Sequence, residues 1–309
     1  MTTTTPSILR LLPPVADALR AGRPVVALES SVLAQGLPIP ANRDAATRMT
    51  EAVLRAGALP AISAVVQGVP TFGLEDDELE RFLARDGVRK VSARDLSAAV
   101  VGRLDGATTV AASIALAALA GIPVFATGGI GGVHRDPAFD ESADLVELAR
   151  SQVVVVCSGA KSILDLPATL ERLETLGVSI VGYRTSRLPG FFTADTGLPL
   201  PARAESTSEV AALFRAHRAL GRPGALVVMQ PPPAESALPS ELVDAAVARA
   251  VERARAAGVR GAGSTPFLLA EVERQTEGRS LGTNLALLER NAALAGAIAV
   301  ALSESRVGT

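Results

Sequence analysis

Short, continuously apolar runs rich in β-branched residues recur along the chain at intervals wide enough to hold a helix, and this alternation restricts the fold more than any other feature. PVVALE from Pro24, ISAVV from Ile62, PVFAT from Pro123, QVVVVCSG from Gln152, VSIVGY from Val178 and ALVVMQ from Ala225 read as strands. They are apolar at successive positions rather than alternate ones, as strands covered on both faces must be. The amphipathic stretches 42–55, 162–176, 242–257 and 285–302 read as helices. Gly57, Gly121, Gly177, Gly221 and Gly258 stand where a helix closes in a left-handed residue. The pattern predicts an α/β fold, a three-layer α/β/α arrangement with a largely parallel central sheet. No internal repeat is present, and the Pro-, Gly- and Thr-rich stretch 188–206 and the run Gln230-Pro231-Pro232-Pro233 read as loops rather than linkers. One domain over 1–309 is expected, with flexible ends at 1–6 and 304–309.

With 309 residues, 48% of them hydrophobic and 20% charged, the chain can bury a large core. A net charge of −2, scattered rather than gathered into a basic stripe, argues against nucleic acid as a partner. The single cysteine, Cys157, permits no intrachain disulfide and no CxxC metal site, which fits a reducing, cytoplasmic setting. The first residues carry no basic flank followed by an apolar core, and the most apolar later stretch, 108–120, is too short for a bilayer, so no membrane association is expected.

Of the 30 basic residues only Lys90 and Lys161 are lysines. Codon bias would explain a general preference for arginine and leave two lysines by chance. The alternative is that these two sites need a primary amine, which can lose its proton and attack a carbonyl or acetal carbon as a guanidinium cannot.

In open α/β sheets ligands bind beyond the carboxyl ends of the strands, and the chemically suggestive residues fall there. Glu29 ends the first strand, Lys90 lies in VRKVS, Thr127-Gly128-Gly129 follows PVFAT and Lys161 follows VVVVCSGA. Glu29 lies among apolar neighbours, where burial would raise its pKa toward the range useful for proton transfer; a carboxylate held by the Ser30 or Ser31 amides is the structural alternative. The glycine-rich run TGGIGGVH fails the dinucleotide fingerprint because His134 occupies the third glycine position. It is either a loop using glycine for unusual dihedrals or one whose backbone approaches a ligand, with His134 as a polar contact. In GATTVAAS, Thr108 or Thr109 caps a helix, or the helix start binds a phosphate with Lys90 as counter-charge. In FDESADL, Asp140, Glu141 and Asp144 are either a solvated helix start or oxygen ligands for a hard cation such as Mn²⁺ or Mg²⁺. CSGAKSILDL puts Lys161 at the entrance to a helix, while Cys157, inside the apolar run, reads as a packed thiol rather than a nucleophile.

Taken together, VVALESSVLAQGLPIP, KVSARDL, GATTVAAS, FATGGIGGVHR, FDESADL, CSGAKSILDL, STPFLL and SLGTNLAL resemble the pseudouridine-5'-phosphate glycosidase family, also described as indigoidine synthase A-like, in the family's order and over most of the chain. The resemblance implies cleavage of the C-glycosidic bond of pseudouridine 5'-phosphate to uracil and ribose 5-phosphate through a lysine imine. It implies Glu29 as proton donor and Lys161 as nucleophile. Lys90 and Val110, with Thr109 beside them, and Ser142, Ala143 and Asp144 would meet the substrate, with His134 and Asn284 also in the pocket. Asp140 would bind one Mn²⁺ per subunit of a cytoplasmic homotrimer. Two positions depart from the family pattern: Ala93, where a second basic residue is expected, and Gln67, where glycine is expected. A Schiff-base aldolase or lyase on another sugar phosphate would need the same lysine, acid and anion site; a non-catalytic sugar-phosphate sensor would give no reason for Lys161 to be an amine.

Overall fold

A computed structural model describes residues 8–136, 139–259 and 261–304. The expected flexible ends therefore lie outside the described residues, except Glu304, which closes the last helix. The chain opens with β1 (Arg10–Leu11), α1 (Pro13–Arg20), β2 (Val25–Glu29), a π-helical turn at Val32–Gly36 and α2 (Ala41–Arg55). The hairpin β3 (Leu59–Val66) and β4 (Val69–Phe72) follows, then α3 (Asp76–Ala84), β5 (Arg89–Val91), α4 (Leu96–Val101), β6 (Gly106–Thr108) and α5 (Val110–Ala120). Next come β7 (Val124–Ala126), β8 (Val133–His134), α6 (Ala143–Leu148), β9 (Val154–Cys157), β10 (Leu164–Asp165) and α7 (Leu166–Thr175). The last part holds β11 (Ser179–Tyr183), β12 (Arg203–Ala204), α8 (Thr207–Ala219), β13 (Leu226–Met229), α9 (Ser240–Ala256), α10 (Ser264–Gln275) and α11 (Arg279–Glu304).

The main sheet runs β1-β4-β3-β2-β7-β9-β13-β11-β12, with β6 attached to β3 and β5 to β6. Every pairing from β3 through β12 along this path is parallel; within this sheet antiparallel pairing is confined to β3 with β4 and with β6, and β8 and β10 form a separate antiparallel pair. Every residue of β2, β7, β9 and β13 is buried, which is why these strands are apolar at consecutive positions. Helices α2, α8 and α11 pack together, and α5 and α6 pack together with α5 against β2, β3 and β7. The predicted three-layer α/β architecture is what forms. Gly57, Gly121, Gly177, Gly221 and Gly258 all take positive φ at helix ends, as their placement implied.

Two local expectations are corrected and a third is explained. The helix expected from 162 begins at Leu166, because Asp165 turns its carboxylate onto the Ala168 N–H at 3.0 Å and caps it there, with Pro167 in the first turn. The helix expected over 285–302 extends to Arg279–Glu304, long and apolar enough by composition to cross a membrane. Its flanks pack on α2, α8, β7 and β9, and Asn284 and Asn291 lie on its buried face, which makes it a core helix. Gln67 stands in the two-residue β3–β4 turn with φ 48°, followed by Gly68 at φ 84°. A hairpin turn with both central residues left-handed favours glycine, which accounts for the expectation.

Candidate active site

Two parallel strands on either side of β7 place an acid and an amine at one edge of the sheet. Glu29 is the last residue of β2; Lys161 lies in the loop leaving β9, two strands away across β7. The Lys161 N–H donates to the Ile130 carbonyl at 3.1 Å, so this loop is tied to the glycine-rich loop that leaves β7. Because the helix starts only at Leu166, Lys161 belongs to the loop and not to a helix entrance. Glu29, Lys161, Lys90 and Asn284 line one cavity together with Thr127-Gly128-Gly129, Phe191 and the first turns of α10.

Glu29 is 6% exposed. Its Oε2 accepts the Ser31 hydroxyl at 2.7 Å and its Oε1 accepts the Thr127 hydroxyl. The contacts come from hydroxyls, not from the serine amides. Burial raises its pKa above the usual carboxylate range; the charge of Lys161 and the two hydroxyls pull the other way without cancelling that, and Asp144 adds to the rise. Lys90 reaches solvent in part, yet burial of the rest, together with the charge of Lys161, holds its pKa below that of an ordinary lysine. Two amine side chains and one acid of raised proton affinity thus share a single pocket. Cys157 is fully buried and its thiol is pushed up to about 12, so at neutral pH it is a packed thiol, as its apolar surroundings implied.

The helix start at Thr109 is held in part from within. Thr109 Oγ1 accepts the Ala112 N–H at 3.5 Å, and Asp144 accepts the Ala111 N–H at 2.9 Å and the Gly131 N–H at 2.7 Å. The buried Asp144 carboxylate thus performs the anion's part at this helix, beside Val110, which is itself buried. Thr108 is fully buried in a hydroxyl cluster with Ser30, Ser63 and Ser113. Thr109 therefore caps the helix, as one of the two expected readings had it, and the Asp144 carboxylate holds the Ala111 amide. Ser142 caps α6 by accepting the Asp144 N–H at 3.2 Å, and Ala143 is exposed in its first turn. Ser142 and Asp144 lie beside Gly131, and none of Ser142, Ala143 and Asp144 lines the cavity that holds Lys161.

Those glycines have a packing role. None of Gly128, Gly129, Gly131 and Gly132 has positive φ. A Cβ on Gly129 would lie 2.6 Å from the Phe191 ring, one on Gly131 2.2 Å from Ser142 Oγ, and one on Gly132 2.4 Å from Thr169 Oγ1. The loop is therefore fixed by side chains that press on its backbone, not by unusual dihedrals, and Gly128 and Gly129 line the cavity with that backbone. His134, on β8 opposite Leu164 of β10, is half-buried; burial lowers its pKa, the neighbouring Asp140 opposes that, and Lys161 adds to it. Asp140 is tied to His134 through its carbonyl, and among the described residues its carboxylate has no hydrogen bond or ion pair. Phe191, Gln35 and Thr265 were not singled out from the sequence, although Gln35 and Thr265 fall within the quoted motifs. Phe191 sits at φ 65°, an uncommon conformation for a bulky residue, in a loop whose composition gave no sign of it.

The parallel sheet with an amine, a carboxyl group of raised proton affinity and a second amine at its carboxyl edge defines an α/β protein equipped for nucleophilic and acid–base chemistry on a small anionic carbonyl compound or sugar. The family model described as indigoidine synthase A like protein matches residues 14–301, and the chain belongs to that family. It is 64% identical over 290 residues to a pseudouridine-5'-phosphate glycosidase of Gemmatimonas aurantiaca, covering 94% of this chain and 95% of that one. A glycosidase of the same name from Herpetosiphon aurantiacus is 52% identical over 299 residues, covering 96% and 99%. Among solved structures, the prealnumycin C-glycosynthase AlnA in complex with ribulose 5-phosphate is similar with a TM-score of 0.91 at 36% identity, covering 98% of this chain and 99% of that one. An indigoidine synthase A-like protein from Thermotoga maritima has a TM-score of 0.85 at 38% identity, covering 91% and 94%.

Proposed function

We propose that this chain is a pseudouridine-5'-phosphate glycosidase, cleaving its substrate reversibly to uracil and ribose 5-phosphate, with Lys161 as imine-forming nucleophile and Glu29 as proton donor. The observation that carries the reading is the convergence of Glu29, Lys161 and Lys90 on one cavity at the carboxyl edge of the sheet. An ordinary glycosidase expels a leaving group through nitrogen or oxygen, for which a pair of carboxylates suffices. Here the base must leave through carbon. The Lys161 amine bonds to C1' as the C1'–O4' bond breaks, O4' leaving with the electron pair and taking the proton the amine gives up, so that the ribose opens with a 4'-hydroxyl; a proton delivered from Glu29 to C5 of the base then lets the C1'–C5 bond break. Its electron pair restores the uracil ring, and the lysine nitrogen shares its lone pair with C1' to form an iminium. Water adds at C1' and releases ribose 5-phosphate and the free amine. Burial suits Glu29 to this task because it makes the carboxyl group hold its proton more tightly than an ordinary carboxylate does. Lys90 supplies a point charge for the phosphate.

Asp140 suits a hard divalent cation such as Mn²⁺. The described residues contain no group of three or more His, Cys, Asp or Glu that could hold a metal, so the remaining ligands would be water and substrate oxygens, as is usual for such ions. When bound, the cation would neutralise negative charge on the substrate. The reading extends to a homotrimer in the cytoplasm, the former testable by light scattering. The deciding experiment is incubation with pseudouridine 5'-phosphate and Mn²⁺ followed by detection of uracil. Release of uracil separates this reading from an aldolase or lyase, and binding without turnover would mark a sensor.

A further inference from the structure

Behind the cavity, one buried side chain ties together the ends of three neighbouring strands. Asn291 on α11 is fully buried. Its Nδ2 donates to the Thr127 carbonyl at 2.9 Å, with Ser158 Oγ at 3.1 Å and the Gly128 carbonyl at 3.3 Å. Its Oδ1 accepts from Gln230 Nε2 at 3.0 Å and from Ser158 Oγ at 3.3 Å. Thr127 follows β7, Ser158 follows β9 and Gln230 follows β13, so the amide braces the strand ends beside their last backbone bonds, Ser158 N–H to the Gly128 carbonyl at 2.9 Å and Gln230 N–H to the Cys157 carbonyl at 3.0 Å. Gln230 is itself held by the Arg290 carbonyl at 3.0 Å. A fully paired polar cluster in a core gives a rigid, unique arrangement, whereas an apolar residue would fill the same space without fixing the backbone. What it fixes here leads to the acid: the Thr127 carbonyl is held by Asn291, and the Thr127 hydroxyl donates to Glu29 Oε1.

We propose that Asn291 is a positioning residue of the active site, which by fixing the main chain of Thr127 keeps the Thr127 hydroxyl on Glu29 and so sets the direction and proton affinity of that carboxyl group. The other groups that act on Glu29 are the Ser31 hydroxyl, the charges of Lys161 and Lys90, and the Asp144 carboxylate. None of them is hydrogen-bonded to Asn291, so a substitution at 291 reaches Glu29 by way of Thr127. The role in catalysis rests on the reading of Glu29 as proton donor, but the effect on its titration does not.

The test compares Asn291→Leu, Thr127→Val and the double variant, reading the Glu29 carboxyl titration directly by infrared difference against Glu29→Gln, together with the pH profile of kcat. A hydroxyl hydrogen bond favours the charged carboxylate, so its loss moves the Glu29 titration to higher pH. Asn291→Leu should shift it in the same direction as Thr127→Val, lower kcat by about tenfold with little change in KM, and add nothing in the double variant. A lowered melting temperature with an unmoved titration, or shifts that add in the double variant, would overturn the proposal. Should Asn291→Leu fail to fold, Ser158→Ala removes one contact of the amide with little loss of volume. A smaller upward shift then supports the proposal and no shift overturns it. If Glu29→Gln keeps full turnover, the functional reading fails, while the titration still decides the role of Asn291.

Discussion

At the residue scale, the pocket asks different things of groups that share a charge. Lys161→Arg keeps the positive charge but cannot form an imine, so turnover should vanish, and borohydride with ribose 5-phosphate should add mass at Lys161 in the parent enzyme and nothing in the variant. A trapped adduct on Lys90 would reverse the two lysines. Glu29→Gln should lower turnover at least about 100-fold while substrate affinity is largely kept, and added metal should not restore it. The same variant should report on stability. Below the ordinary value of 4.5 the folded and unfolded chains both carry the proton. As pH rises, the unfolded chain releases it first, because burial raises the folded value, and the native state loses stability until the folded group has also titrated. The stability of Glu29→Gln relative to the parent should therefore grow as pH is raised from about 4.5 towards neutrality, as read from denaturant midpoints at several pH values. Asp140→Asn belongs to the opposite class. It weakens an oxygen ligand, so its loss of activity should be offset in part by excess Mn²⁺ and imitated by chelation. Rescue of Glu29→Gln but not of Asp140→Asn would exchange the two roles.

At the scale of elements, the site depends on loops held by packing rather than by their own conformational preference. The glycine-rich loop after β7 is pressed between Phe191, Ser142 and Thr169, and Asp144 links it to the start of α5. Gly131→Ala would bring a methyl group to within 2.2 Å of Ser142 Oγ and 2.8 Å of Asp144 Oδ2. The start of α6 must then move and Asp144 must give up a charge-assisted bond. The expected cost is about 1–3 kcal/mol, as for other overpacked sites, visible in thermal unfolding. Gly197→Ala, in open space, should behave differently: its left-handed backbone gives strain but no clash. A Gly131→Ala variant as stable as the parent would mean that the α6 start yields freely.

For the whole molecule, the cavity is assembled from the second strand at one extreme of the chain and the last helix at the other. Glu29 comes from β2, Asn284 from α11, and α10 forms part of the wall. α11 packs on α2 and α8 and against β2, β7 and β9, burying Leu287, Leu288, Ala292, Ala295, Ile298 and Ala299. Each large apolar side chain so buried contributes roughly 1.5–3 kcal/mol, and a domain's net stability is only about 5–15 kcal/mol. A chain lacking Arg279–Glu304 should therefore fail to fold, which circular dichroism and the absence of a cooperative transition would show. Folding of that truncated chain would mean the core closes without its longest helix.

What the sequence determined was whatever depends on local periodicity and side-chain chemistry. The consecutive apolar runs specified buried parallel strands, the terminal glycines marked helix ends, and the two lysines among many arginines, with Glu29 at a strand end, marked residues that the fold brings to one cavity. The order of motifs carried the resemblance to the family. Tertiary structure alone decided what lies between elements distant in sequence. That Asp144 occupies the α5 helix start, that Thr127 donates to Glu29, that Phe191 forms a wall and that Asn291 binds three strand ends are all long-range contacts. No local pattern encodes them, because a buried polar group's partner is chosen by the packing of the whole sheet and its helices, and only the folded chain brings those partners within hydrogen-bonding distance.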